Sequence, residues 1–144
     1  MLHNDRGLSR LEFFCIAGIC LIVAFAAYKG VVYYCGAMAR GNDSLKVNSA
    51  KSVAAMNLSD NGCVVNGCEG GLDKPCRHVD KDGYSTGYYD AVKRKIFGGN
   101  LPGYNEYTEM KIGDKTYRGK KNTMVIKVEA KEGRIYLSWV PSKE

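Results

Sequence analysis

Between Phe13 and Ala39 the chain carries a single charge. Residues 13–28 form a run of 16 without any, and after Lys29 the apolar character resumes through Val31, Val32, Tyr33 and Tyr34 as far as Ala39. As a helix rising ~1.5 Å per residue, these 27 residues reach roughly 40 Å, more than the ~30 Å hydrocarbon core of a bilayer. Lys29 can snorkel to the headgroups, with Tyr28, Tyr33 and Tyr34 beside it in the interfacial layer. A helix apolar on every side needs either a large protein around it or lipid, and 144 residues leave too little chain to wrap it. The segment therefore reads as a membrane helix.

Charge is segregated accordingly. Of 21 Lys+Arg and 15 Asp+Glu, only Asp5, Arg6, Arg10, Glu12 and Lys29 precede Arg40, so an apolar head is followed by a polar body. The length suits one domain with an appended segment and excludes a doubly wound or barrel enzyme. No constellation supports catalysis: the chain has two His, His3 and His78, and lacks the nucleophile-elbow, zinc-protease and phosphate-loop motifs. The expectation is no enzyme, no cofactor and no catalytic or metal-binding residue.

The residues flanking the apolar run distinguish the ways in which such a head can serve export. A secretory signal would use the site Ala24-Phe25-Ala26 and leave a protein starting at Ala27, but Glu12 sits directly against the run, where a signal peptide has basic or neutral residues. A plain anchor needs no particular residues there. The stretch Arg6-Gly7-Leu8-Ser9-Arg10-Leu11-Glu12-Phe13-Phe14, with the apolar run behind it, resembles the type III signal of type IV pilins and of the pseudopilins of type II secretion and competence systems.

In that family a basic leader ends in Gly, a prepilin peptidase cuts after it, the new N-terminus is methylated, and a Glu stands fifth in the mature chain. Carried over, the resemblance implies cleavage between Gly7 and Leu8, a methylated Leu8, and Glu12 as the assembly residue that pairs with the α-amino group of a neighbouring subunit. Leu8 replaces the usual Phe or Met, and Arg10 occupies a normally apolar third position. The implied partners are the peptidase, other pilin or pseudopilin subunits and the membrane. The implied location is the cytoplasmic membrane, single-pass, with the C-terminal domain exported. The implied function is that of a structural subunit, a minor one, of a pilus-like or pseudopilus filament. Two alternatives stand beside it: a single-pass anchored domain with no filament role, and a DNA-binding minor pilin.

Residues 42–58 lack Pro, and Leu45, Ser49, Val53 and Met56 with Asn57 mark one helical stripe, so the helix is expected to continue from about Ser9 to Leu58. Gly36 and Gly41 mark where it could bend. Residues 60–87 are rich in Gly, Asn and Asp and read as loop. They hold Cys63, Cys68 and Cys76, candidates for one disulfide of open pairing if the body is exported. Asp80-Lys81-Asp82-Gly83 reads as a polar turn rather than a calcium loop. Tyr88, Tyr89, Val92 and Ile96 fall at helical spacing and predict a short helix over 88–97. Alternating runs between 106 and 140 predict an antiparallel sheet covered by the helix.

The expected fold class is therefore α+β, a long N-terminal helix packed on a small C-terminal antiparallel sheet, pilin-like. Its organisation is leader 1–7, transmembrane and assembly half 8–39, and exported globular domain 40–144. Two basic clusters, Lys93-Arg94-Lys95 and Arg118 with Lys120 and Lys121, lie among tyrosines and are the candidate DNA contacts.

Overall fold

The computed structural model describes residues 9–68 and 78–143, so the expected cleavage position at Gly7 and Leu8, and Cys76, lie outside the described residues. The chain divides into two compact units, Met1–Met38 and Ala39–Glu144. The order of elements is α1 (Arg10–Asn61), β1 (Ser85–Asp90), β2 (Lys95–Phe97), β3 (Glu109–Ile112), β4 (Lys115–Arg118), β5 (Met124–Lys131) and β6 (Arg134–Pro141). This is an α+β arrangement, one long N-terminal helix packed against a small antiparallel sheet. The helix is continuous through Gly36 and Gly41, the two positions where it could bend.

Within the first unit α1 has no inward face. Leu11, Phe14, Leu21, Ile22 and Phe25 are all more than 60% exposed. The helix is long and apolar enough to cross a membrane.

Within the second unit α1 becomes one-sided. Its buried positions are Asp43, Ala50, Ala54 and Asn57, spaced by seven, four and three residues, the repeat of one helix face. The face is rotated from the one expected, because Leu45 and Met56 are 67% and 64% exposed. Small Ala50 and Ala54, both with no exposure, let the sheet approach closely, and Val47, Val53 and Leu58 pack around them. Polar Asp43 and Asn57 close the two ends.

The main sheet has four antiparallel strands in the order β2-β1-β5-β6, and β3 and β4 form a separate two-stranded hairpin. Residues 88–97, expected as a helix, instead form the end of β1, a turn and β2. The reason is an alternation that coincides with helical spacing at Tyr88 and Tyr89: Ser85, Gly87 and Tyr89 are buried in turn. A side chain at Gly87 would meet Ile96, so close pairing of β1 with β2 needs the glycine. Asp90 then ends the strand, its Oδ1 accepting hydrogen bonds from the Val92 and Lys93 amides at 2.9 Å each. Arg94, with φ 53°, completes the reversal.

The irregular segment between β2 and β3 is organised by Asn105, which is fully buried. Its Nδ2 donates to the Tyr107 and Lys120 carbonyls at 3.1 and 2.7 Å, and its Oδ1 accepts from the Thr123 and Met124 amides at 2.9 and 2.8 Å. Asn105→Ala leaves these backbone groups without partners. It should lower the stability of the body by about 2–4 kcal/mol, read as a lower urea midpoint with unchanged slope, whereas exposed Asn100→Ala should shift it far less.

Candidate functional site

The head of α1 is held by a reciprocal pair of hydrogen bonds. Ser9 Oγ accepts from the Glu12 amide at 3.2 Å, and Glu12 Oε2 accepts from the Ser9 amide at 2.8 Å. The Phe13 amide donates to the Ser9 carbonyl at 3.0 Å and starts the helical ladder. This is a capping box, which satisfies two of the amides that a helix start leaves without intrahelical partners. Its signature, Ser9-x-x-Glu12 before an apolar run, is present in the sequence. The carboxylate thus has a structural role within its own chain and is fully accessible to a second partner.

Directly behind it, the apolar circumference of α1 has no protein packed on it within its unit. Cys15, Cys20 and Cys35 lie exposed on the helix surface. Burying each Leu, Ile or Phe of such a surface is worth ~1.5–3 kcal/mol, so the helix is compatible with a surrounding of lipid.

At the start of the second unit lies a second polar centre. The Asp43 carboxylate, 3% exposed as a residue, accepts from the Glu106 amide at 3.0 Å and the Tyr107 amide at 2.8 Å. Lys46 Nζ lies 3.2 Å from Asp43 Oδ1 and 2.8 Å from Glu106 Oε1, and it donates to the Tyr104 carbonyl at 3.0 Å. Asn42 Nδ2 donates to Glu106 Oε2 at 2.9 Å, and the Arg40 guanidinium lies 5.1 Å from the centre of the Tyr107 ring. One helical turn is thereby clasped to the segment 104–107. The hydrogen bond from Asn42 and then the bond from Lys46 hold the Glu106 carboxyl below its ordinary value, while burial pushes the Tyr104 hydroxyl up.

The six basic residues proposed as DNA contacts are exposed. Lys93 and Arg94 occupy the turn after β1, and Lys95 opens β2. Arg118 ends β4, and Lys120 and Lys121 lie in the turn before β5. Since the end of β1 pairs with the beginning of β5, Tyr89 opposite Ile126, both clusters lie on one rim of the sheet. The tyrosines do not accompany them as an open stacking surface: Tyr89 is 1% exposed, and Tyr88, Tyr104, Tyr107 and Tyr117 are partly buried.

Of the disulfide candidates, Cys63 is fully buried in the core and its sulfur accepts from Ser85 Oγ at 3.4 Å, while Cys68 packs partly buried against the core. Asp80 Oδ1 accepts from the Asp82 and Tyr84 amides at 3.0 and 2.8 Å, the polar turn expected there. Among the described residues no group of three or more His, Cys, Asp or Glu could hold a metal ion. No family model, curated protein or solved structure matches this chain.

The Asp43 clasp makes two predictions. Asp43→Ala should cost roughly 2–4 kcal/mol in urea unfolding, because two amides and the Lys46 ammonium lose a buried acceptor. A carboxyl held below its ordinary 4.5 contributes stability fully above that pH and loses it as pH falls through the folded-state value. The urea midpoint of the wild type should therefore drop more between pH 5 and pH 3 than that of Glu106→Gln. The difference should be small, since Glu106 is about a third exposed and solvent screens it.

Proposed function

We propose that the chain is a structural subunit of a pilus-like or pseudopilus filament, a minor one. It is held in the cytoplasmic membrane by the first half of α1, with residues 40–144 exported to the cell surface or the periplasmic or cell-wall space. A prepilin peptidase removes residues 1–7, Leu8 becomes the methylated N-terminus, and other pilin or pseudopilin subunits bind through helix packing. The observation that carries this reading is Glu12: an accessible carboxylate five residues after Gly7, at the head of a helix whose apolar circumference is unpartnered within its unit. A charge at that depth is costly without an opposite partner, and the α-amino group of a neighbouring subunit supplies one. Cleavage after Gly7 would retain Ser9 and Glu12, so both residues of the cap persist in the mature chain. One disulfide among Cys63, Cys68 and Cys76 belongs to the same proposal, because an exported loop is in an oxidising compartment. No catalytic activity is assigned to the body.

Glu12 has two candidate roles, capping and pairing, and Glu12→Gln separates them. The amide oxygen still accepts from the Ser9 amide, so the helix start is retained, but the charge is lost. The variant should reach the membrane at wild-type level and be absent from the sheared filament fraction. Ser9→Ala, which removes one cap bond at a cost of about 1 kcal/mol, should still assemble. Wild-type incorporation of Glu12→Gln would reduce Glu12 to a capping residue and remove the main support for a filament role.

A further inference from the structure

We propose that the basic rim of the body docks on anionic phospholipid headgroups beside the point where the chain leaves the bilayer, an inference that rests on the membrane reading above. Strand register defines the rim. The end of β1 pairs with the start of β5, and Met124 at the start of β5 pairs with Pro141 at the end of β6. The turn 91–94, the turn before β5 and the tail after β6 therefore share one side of the sheet, and they bring Lys93, Arg94, Lys120, Lys121 and Lys143 with them, all exposed.

The chain enters the body at the same rim. Asp43 is bonded to the Glu106 and Tyr107 amides, and Asn105, next in line, is bonded to the Lys120 carbonyl and the Met124 amide. Exposed Arg40 lies two residues beyond Met38, the last residue of the apolar unit. Acidic residues near this rim are already engaged: Asp43 and Asp90 by backbone amides, Glu106 by Asn42 and Lys46, and Glu109 by Arg118, whose charge it offsets. The opposite rim is mixed, with Asp80, Asp82 and Glu132 beside Lys81 and Arg134.

Val92 directs the choice of occupant. It is 89% exposed, the most exposed large apolar side chain among those of the described residues, and it precedes Lys93-Arg94-Lys95 in a turn fixed by two hydrogen bonds to Asp90 Oδ1. An apolar tip backed by cations fits the boundary between acyl chains and phosphate headgroups. Single-stranded DNA would call for open aromatic faces on the same rim, and the neighbouring tyrosines are buried or partly so. Each basic side chain near an anionic surface favours the docked state roughly fivefold, and the attraction fades beyond a Debye length.

The test uses the full chain inserted in nanodiscs of phosphatidylcholine, with or without phosphatidylglycerol, and reads the rate of amine acylation at each lysine by mass spectrometry. Lys93, Lys95, Lys120 and Lys121 should react at least about fivefold more slowly in the anionic discs at low salt and recover at high salt, while Lys81 and Lys115 react equally in both. Equal rates at all sites, in a chain that has inserted, would overturn docking and leave the membrane reading intact. Failure to insert in either disc would overturn both. Protection by added DNA in phosphatidylcholine discs, with none from phosphatidylglycerol, would assign the rim to nucleic acid instead.

Discussion

The apolar surface of the first half of α1 is the constraint to which everything else answers. Burying each large side chain there is worth ~1.5–3 kcal/mol, yet none of that area is covered within the first unit. Water is the least favourable surrounding for it. Lipid and the flanks of neighbouring apolar helices both remove the area, and they are similar enough in polarity that a subunit could pass from one to the other at modest cost. In the proposed function that near-equivalence is what the helix provides: storage in the membrane and packing in a filament use the same side chains. Glu12 then supplies a direction that apolar contact alone cannot give.

The second half of the same helix solves a different problem. It must bury one face against a sheet, and it does so with Ala50 and Ala54 at the centre and polar residues at the ends. The Asp43 clasp fixes the first of those ends to the segment 104–107, and Asn105 ties that segment to the start of β5. At the other end Asn57 Nδ2 donates to the Val64 carbonyl at 2.6 Å, and the Val64 amide donates to Ser85 Oγ at 2.9 Å, linking the helix to β1. Side-chain bonds to backbone, rather than a wide apolar stripe, fix the register of helix on sheet. That accounts for a helix of such modest apolarity serving as the cover.

What was legible in the sequence was what periodicity and composition control. The apolar run and the continuation of the helix into the body follow from composition, a repeat of 3.6 and the absence of proline over 42–58, and the strands β5 and β6 from a repeat of 2. The errors fell where both repeats fit the same residues or where a small or polar residue occupies the core. Tyr88, Tyr89, Val92 and Ile96 satisfy helical spacing, but the alternation of Ser85, Gly87 and Tyr89 prevailed because Gly87 admits a neighbouring strand. Leu45 and Met56 looked like core residues, whereas Asp43 and Asn57 are the buried ones. A buried aspartate is invisible in a single sequence, because the amides that hold it alongside Lys46 lie more than sixty residues away. The gathering of two basic clusters on one rim likewise depends on strand order, which spacing along the chain does not encode.

The central claim, that this chain enters a filament pathway through its N-terminal helix, is tested most directly at the N-terminus itself. The measurement is intact mass and N-terminal sequencing of the protein extracted from native membranes, beside the same protein from cells lacking prepilin peptidase. The account predicts a chain beginning at methylated Leu8 in the first sample and at Met1 in the second. A chain beginning at Met1 in both would contradict it in favour of a simple anchor, and one beginning at Ala27 would contradict it in favour of a secreted domain.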